Sequence, residues 1–194
     1  MKLGAIGCGN MAKAILGGII KNGLIKPEDI MGADIYQPGL KEAADILGIR
    51  TTSDNKEAAQ AEVLLLAVKP ENYRGIIEEI KDDVKESTII WTIAPGVTLA
   101  DIDAYFGRSV KAVRTMPNTP AMVGAGVTAV TPNSQVTEEE AEYICSLIGS
   151  FGVAERIPES MMDATIPTSG SSPAMIFMLI EAMADGAVRE GFSR

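Results

Sequence analysis

The sequence predicts an α/β fold in which a doubly wound, mostly parallel sheet is followed by the start of an all-helical domain. First, the chain opens with an apolar run, a glycine turn over residues 7–12 and a helix-patterned segment. Second, short apolar runs alternate with helix-patterned segments up to residue 158, which is typical of βαβ units. Third, strand-like runs cease after Pro158. These observations predict a Rossmann-type domain over residues 1–158 and the N-terminal part of a helical domain over residues 159–194.

The predicted strands are short apolar runs bounded by residues that favour turns. Two of them, 63–68 and 88–93, are almost entirely apolar, as expected for parallel strands that are buried on both faces. After the opening run, the predicted strands lie in chain order at 29–33, 49–52, 63–68, 88–93, 110–114, 124–131 and 153–157.

The predicted helices have apolar residues at helical spacing and recognisable ends. Thr98 and Asp101 have the spacing of a capping-box variant. Thr137 and Glu140 have the spacing of a capping box and begin the helix that ends near residue 148. The predicted helices lie in chain order at 13–20, 38–47, 55–61, 71–80, 99–105, 138–148, 159–165 and 174–188.

The last predicted helix differs from the others because it is apolar on nearly all sides. Ser172 is its expected N-cap, with Pro173 at the first helical position. Such a helix requires burial, yet the sequence ends at Arg194. We therefore expect that another chain covers this helix, that the sequence is a truncated form of a longer one, or both.

The glycine turn has the spacing GxGxxA and lies between a strand and a helix, as a dinucleotide-binding fingerprint requires. Gly7 allows the sharp turn, Gly9 allows the backbone to approach a pyrophosphate, and Ala12 allows the helix to pack closely on the strand. The N-terminus of the helix would then bind the phosphates. A purely structural turn is the alternative.

Composition narrows the classes of function. The net charge of −9 argues against nucleic acid or an anionic membrane surface as a partner. Without histidine, the chain lacks the commonest general acid–base and zinc ligand, and no metal site is expected. Cys8 and Cys145 cannot form a disulfide framework, which favours a reducing cytoplasm. The longest uninterrupted apolar run, residues 174–180, is too short to span a membrane. No signal peptide is expected at the N-terminus.

Three polar residues follow predicted strands and are candidates for ligand binding. Asp34 follows the second strand, where an acidic side chain accepts hydrogen bonds from the ribose of NAD; an exposed turn aspartate is the alternative. Lys69 follows a buried strand at the edge where open α/β sheets bind ligands; an exposed lysine is the alternative. Asn118, in a loop between two prolines, would position a substrate or nicotinamide, or hold its own turn.

Five motifs, in the same order along the chain, resemble those of the pyrroline-5-carboxylate reductase family, which catalyses the last step of proline synthesis. They are IGCGNMA (6–12), AVKP (67–70), APGV (94–97), MPNTP (116–120) and SGSSPA (169–174). The resemblance extends over essentially the whole chain. It implies a cytoplasmic enzyme with a Rossmann domain and a helical domain through which protomers form a homodimer or a larger homo-oligomer.

The resemblance also implies a site for NADPH or NADH and a small-molecule substrate. The implied cofactor-binding residues are Ile6, Gly7, Cys8, Gly9, Asn10, Met11, Asp34, Asn55, Val68, Lys69 and Pro95. We place the substrate and the nicotinamide beside Asn118 and Ser171. The cofactor would transfer a hydride to the carbon of a cyclic imine, and a hydroxyl group or an ordered water would protonate the nitrogen.

Three departures from the family pattern affect this interpretation. Asp34 replaces the usual small polar or basic residue, which favours NADH. Pro95 removes a backbone donor near the cofactor. The sequence ends before the family's Gly-Gly-Thr-Thr loop for the substrate carboxylate. The alternatives are another Rossmann-type imine or ketone reductase, and a non-catalytic NAD(P)-binding module. A β-hydroxyacid dehydrogenase is disfavoured because no lysine follows Lys111.

Overall fold

A single eight-stranded sheet forms the centre of the molecule. The computed structural model describes all 194 residues. The strands are β1 (Leu3–Ile6), β2 (Ile30–Ala33), β3 (Arg50–Thr52), β4 (Val63–Leu66), β5 (Ile89–Thr92), β6 (Lys111–Met116), β7 (Gly126–Pro132) and β8 (Gly152–Arg156). Their order across the sheet is β3-β2-β1-β4-β5-β6-β7-β8. All neighbouring strands are parallel except β6 and β7. The predicted mostly parallel sheet is therefore confirmed.

Seven α-helices accompany the sheet, in the order that the sequence pattern predicted. They are α1 (Asn10–Lys21), α2 (Gln37–Leu47), α3 (Asn55–Ala59), α4 (Tyr73–Ile80), α5 (Leu99–Phe106), α6 (Glu138–Ile148) and α7 (Ser172–Arg189). Both predicted capping boxes are present, at the N-termini of α5 and α6. The expected cap at Ser172 is wrong: the hydroxyl of Ser172 donates to the carbonyl of Thr168, and the residue is already part of α7.

Two apolar cores lie on opposite faces of the sheet, as a doubly wound fold requires. One contains buried residues of α1, α2 and α6, including Ile15, Leu40 and Ile144. The other contains buried residues of α3, α4 and α5, including Ile77 and Ile102. Strand residues alternate between the two cores because successive side chains point to opposite faces. Both faces of the parallel strands are thus covered.

The segment after residue 158 begins with a 3₁₀-helix, Glu159–Ala164, rather than the predicted α-helix, and continues with a π-helical turn, Ile166–Gly170. Arg114 on β6 holds this segment on the sheet. The Arg114 side chain is 2% exposed and forms ion pairs with Glu159 at 3.3 Å and with Asp163 at 2.6 Å. Met162 is buried against Met116 in the same region.

Helix α7 extends beyond this attachment and has no buried residue. Its large apolar side chains are exposed, for example Phe177 and Met178. The helical run Glu159–Arg189 is long and apolar enough to cross a membrane by length and composition. The sequence prediction underestimated this length because it counted only the uninterrupted run 174–180. Within this chain, the apolar surface of α7 has no cover, as its pattern predicted.

Candidate cofactor site

A cleft of about 770 Å³ opens at the carboxyl ends of β1, β2 and β4. Strand β1 pairs in parallel with β2 on one side and with β4 on the other. Strands β2 and β3 are therefore added on one side of β1 and the later strands on the other, so the strand order switches at this point. Such a switch point is where open α/β sheets bind ligands. The cleft is lined by Ile6, Gly7, Gly9, Asp34, Ile35, Asn55, Ala67, Val68, Lys69, Glu71, Asn72, Gly75, Ile76 and Glu79.

The two glycines of the turn have different roles. Gly7 has a φ of +95°, and a Cβ atom there would lie 2.6 Å from the carbonyl oxygen of Ala67. Only glycine fits this conformation and this close approach. A Cβ atom at Gly9 would meet no atom within 4 Å. The protein itself therefore does not require glycine at position 9, and the open space beside it suits a close ligand.

Gly9 is the N-cap residue of α1 and has an extended backbone conformation. The first N–H groups of a helix have no partner within the helix, and together with the helix dipole they favour an anion. α1 has no acidic residue in its first turn that would compete for this position. The open space at Gly9 and this helix N-terminus together fit a pyrophosphate group.

Asp34 is fixed at the end of β2 by two hydrogen bonds from the backbone. Its Oδ2 accepts the N–H of Cys8 at 2.8 Å, and its Oδ1 accepts the N–H of Tyr36 at 2.9 Å. The first bond connects the carboxylate directly to the glycine turn. Asp34 therefore holds the turn in place and lines the cleft at the position where Rossmann domains bind the adenosine ribose.

The opposite wall of the cleft is formed by the β4–α4 connection and by α3. Lys69 follows β4, as predicted, and is the only cationic residue that lines the cleft. Val68 lies in the connection after β4 rather than in the predicted strand 63–68, because β4 ends at Leu66. Asn55 is buried, and its Nδ2 donates to Oε2 of Glu79 at 3.1 Å. This hydrogen bond connects α3 to α4 between two residues that line the cleft.

A buried polar network lies between the carboxyl ends of β4, β5 and β6. The hydroxyl of Tyr73 donates to the carbonyl of Leu66 at 2.6 Å and accepts the hydroxyl of Thr92 at 2.9 Å. The hydroxyl of Thr115 donates to the carbonyl of Thr92 and accepts the indole N–H of Trp91, both at 2.9 Å. Burial raises the pKa of Tyr73 to about 12, so its hydroxyl remains protonated at neutral pH.

Four of the predicted cofactor-binding residues do not line this cleft. The thiol of Cys8 lies in the core, where burial raises its pKa to about 12, and only its backbone N–H reaches Asp34. Met11 packs against the core. Asn10 lines a smaller pocket of about 270 Å³ that also includes Lys13. Pro95 is exposed just after β5. Their roles toward the cofactor remain predictions.

Asn118 connects two segments that are distant in sequence. Its Oδ1 accepts the N–H of Val127 at 2.9 Å, and its Nδ2 donates to the carbonyl of Ser169 at 3.1 Å. The loop that contains Asn118 therefore contacts the π-helical turn Ile166–Gly170, close to Ser171. Ser171 is exposed, and neither residue lines the main cleft.

The sequence prediction missed half of the residues that line the cleft, and it missed Tyr73 beneath them. The missed lining residues are Ile35, Ala67, Glu71, Asn72, Gly75, Ile76 and Glu79. Ile35 follows Asp34, just after β2, and is 88% exposed. A signal for Tyr73 was present in the sequence, because it lies on the buried face of α4 with Ile77 and Ile80. No local signal pairs Tyr73 with Thr92, however, because these residues come from different elements.

Comparison with known proteins agrees with the two-part organisation of the fold. Residues 2–95 match the family described as NADP oxidoreductase coenzyme F420-dependent. Residues 159–194 match the family described as pyrroline-5-carboxylate reductase dimerisation. The pyrroline-5-carboxylate reductase of Escherichia coli (strain K12) is 43% identical over 197 residues, which cover 100% of this chain and 72% of the relative. The chain belongs to the pyrroline-5-carboxylate reductase family.

Solved structures of pyrroline-5-carboxylate reductases have the same fold. The enzyme from Coxiella burnetii superimposes with a TM-score of 0.90 at 34% identity, covering 97% of this chain and 71% of that one. The enzyme from Plasmodium falciparum, solved with NADP bound, also gives a TM-score of 0.90, at 28% identity, covering 100% of this chain and 71% of that one. The predicted Rossmann-type fold is confirmed.

Membership of the pyrroline-5-carboxylate reductase family makes this chain an oxidoreductase of an NADP-dependent family. The alternatives of a different reductase or a non-catalytic module are not favoured. The match to the dimerisation family over residues 159–194 supports homo-oligomerisation through the region that contains α7.

Proposed function

We propose that this chain reduces 1-pyrroline-5-carboxylate to proline with NADH or NADPH, as a step of proline biosynthesis. The observation that carries the proposal is the 43% identity to the Escherichia coli pyrroline-5-carboxylate reductase along the entire chain. When bound, the reduced nicotinamide supplies the hydride for the imine carbon. The chain itself contributes a cleft at the switch point of the sheet, whose residues fit a dinucleotide.

In this proposal, Gly9 and the N-terminus of α1 bind the pyrophosphate, and Asp34 binds the adenosine ribose. Val68 and Lys69 line the continuation of the cleft along the ends of the strands. The remaining proposed cofactor residues are Ile6, Gly7, Cys8, Asn10, Met11, Asn55 and Pro95. The open space at Gly9 supports the assignment, because a bound phosphate explains a glycine that the protein's own packing does not require.

We place the substrate end beside the loop of Asn118 and the turn that contains Ser171. The amide of Asn118 joins β7 to this turn, so it is a positioning group that keeps the loop and the turn together. Both segments contain motifs by which the chain resembles the family. A rigid boundary at this end would hold the imine against the nicotinamide in a reactive geometry.

We further propose that residues 1–158 form the cofactor domain and that residues 159–194 belong to the dimerisation domain. The match to the dimerisation family, which begins at residue 159, supports this division. We assign the exposed apolar surface of α7 to a homodimer interface, since a second protomer would bury side chains such as Phe177. The proposed location is the cytoplasm, which is consistent with two free thiols. Light scattering in solution measures the protomer number, and a monomer would contradict the dimer.

A pair of glycine variants tests the cofactor site. Gly9→Ala should lower the melting temperature only slightly, because the added methyl group meets nothing in the protein and the only cost is that of a poorer N-cap. The same methyl group occupies the space of the pyrophosphate, so we expect the affinity for NADH and NADPH to fall at least about tenfold, or about 1.4 kcal/mol. Fluorescence titration measures binding, and the loss of reduced-nicotinamide absorbance with racemic pyrroline-5-carboxylate measures turnover.

Gly7→Ala is the matched control. Its methyl group would clash with the carbonyl of Ala67 at a φ of +95°, so this variant should lose stability, by about 1–2 kcal/mol or more. If Gly9→Ala binds NADH and NADPH as tightly as the wild-type protein does, the proposed pyrophosphate site is contradicted. Cofactor binding without any turnover of pyrroline-5-carboxylate by the wild-type protein would contradict the proposed reaction.

A further inference from the structure

We infer that Asp34 makes this cleft select NADH over NADPH. The inference rests on the proposed function and concerns the adenosine end of the same cleft. NADPH differs from NADH by a phosphate at the 2′ position of the adenosine ribose, which adds about two negative charges at neutral pH. Preference between the two cofactors therefore depends on the charges that the end of β2 presents to this position.

The Asp34 carboxylate cannot turn away from the cleft without a cost. Each of its oxygens accepts a backbone N–H, from Cys8 at 2.8 Å and from Tyr36 at 2.9 Å. Rotation of the side chain would leave both donors without this partner and would release the glycine turn. These two bonds use only part of the hydrogen-bonding capacity of a carboxylate, which retains lone pairs for ribose hydroxyl groups.

Nothing at this end of the cleft neutralises Asp34. The residues that follow it are Ile35 and Tyr36, whereas a site for a 2′-phosphate needs arginine or another cation here. Two further acidic residues, Glu71 and Glu79, line the same cleft, and its single cation is Lys69. Lys69 follows β4, on the opposite wall from Asp34.

The nearby lysines of α1 and α2 are already engaged. The Nζ of Lys13 lies 2.7 Å from a carboxylate oxygen of Glu42. Lys41 is paired with Asp45 one turn further along α2. Neither lysine lines the cleft. A 2′-phosphate would thus meet a fixed carboxylate without a compensating cation, while a 2′-hydroxyl would donate a hydrogen bond to it.

Binding of ADP-ribose and 2′-phospho-ADP-ribose tests this inference without any turnover. These fragments contain the adenosine end and lack the nicotinamide. Isothermal titration of the full 194-residue chain should show ADP-ribose binding at least about tenfold more tightly, because like charges a few ångströms apart in a surface cleft repel by this order. The value of kcat/KM should likewise be higher with NADH than with NADPH.

Asp34→Asn removes the charge and keeps the size of the side chain, and its single amide oxygen can accept only one of the two backbone N–H groups. The preference for ADP-ribose should fall to less than about threefold. Asp34→Ser is a second variant with a smaller side chain and the same expected loss. Glu71→Gln is the matched control. It removes a negative charge from the same cleft but next to β4, so the preference for ADP-ribose should change much less than in Asp34→Asn. Measurement at two salt concentrations should show a larger preference at low salt.

Equal or tighter binding of 2′-phospho-ADP-ribose by the wild-type chain would overturn the inference while leaving the proposed cofactor site intact. An unchanged preference in Asp34→Asn would also overturn it, because the discrimination would then lie elsewhere. If neither fragment binds, the proposed cofactor site itself fails, and the inference fails with it.

Discussion

Replacement of Tyr73 by phenylalanine tests the polar network beneath the cofactor cleft. Tyr73 has no exposed surface, and its hydroxyl joins the carbonyl of Leu66 at the end of β4 to the hydroxyl of Thr92 at the end of β5. The variant loses one donor and one acceptor at a site without access to water. It leaves the packing of the ring in place, because phenylalanine has the same shape without the oxygen.

The expected loss of stability follows from these two bonds. Each neutral hydrogen bond contributes about 0.5–1.5 kcal/mol net, so the loss should be about 2 kcal/mol. For a chain of this length, that corresponds to a fall in melting temperature of about 4–8 °C. The carboxyl ends of β4 and β5 should also become less well fixed, so we expect weaker cofactor binding in Tyr73→Phe.

A double-mutant cycle with Thr92→Val isolates the bond between the two side chains. Unfolding by urea at a fixed protomer concentration gives the four free energies of unfolding. The double variant should lose less than the sum of the two single variants, by about 0.5–1.5 kcal/mol. Tyr143→Phe is the control, because Tyr143 is 39% exposed and should change stability by less than about 0.5 kcal/mol.

Additive effects of the two substitutions would refute the proposed bond. An unchanged melting temperature for Tyr73→Phe would refute the wider conclusion that this network stabilises the ends of the strands.

Two further predictions concern the attachment of residues 159–164 and the N-terminus of α5. The double variant Glu159→Gln, Asp163→Asn should lose about 3 kcal/mol of stability, because it leaves the buried Arg114 charge without an anionic partner. Arg114→Met should lose less, and equal losses in urea unfolding would contradict this order. Hydrogen bonds from the side chain and backbone of Thr98 hold the pKa of Asp101 below its ordinary value of 3.8. The stabilisation by the Asp101 carboxylate is therefore present above that pH and is lost as the pH falls further, so the stability difference between wild type and Asp101→Asn should shrink from pH 5 to pH 3. A difference that does not change with pH would contradict this assignment.

Much of the fold could be predicted from the sequence because its signals are local. The capping boxes at Thr98 and Thr137 involve residues three apart, and both are present. The short GxGxxA motif predicts the glycine turn. In the structure, Gly7 has a positive φ and Gly9 has open space beside it, as the motif indicates. Prediction was less accurate where contacts distant in sequence are involved: residues 159–164 form a 3₁₀-helix instead of the predicted α-helix, and ion pairs to Arg114 hold this segment on the sheet.

The alternation of strands and helices, the dinucleotide fingerprint and the apolar character of α7 can be predicted from the sequence, since each depends on neighbouring residues. The strand order, the antiparallel pairing of β6 with β7 and the contacts of the cleft depend on residues that are distant along the chain, so they emerge only in the folded molecule. Asp34 shows the difference. Its place after β2 was readable, but its bond to Cys8 spans 26 residues of chain and forms only once β1 and β2 are paired.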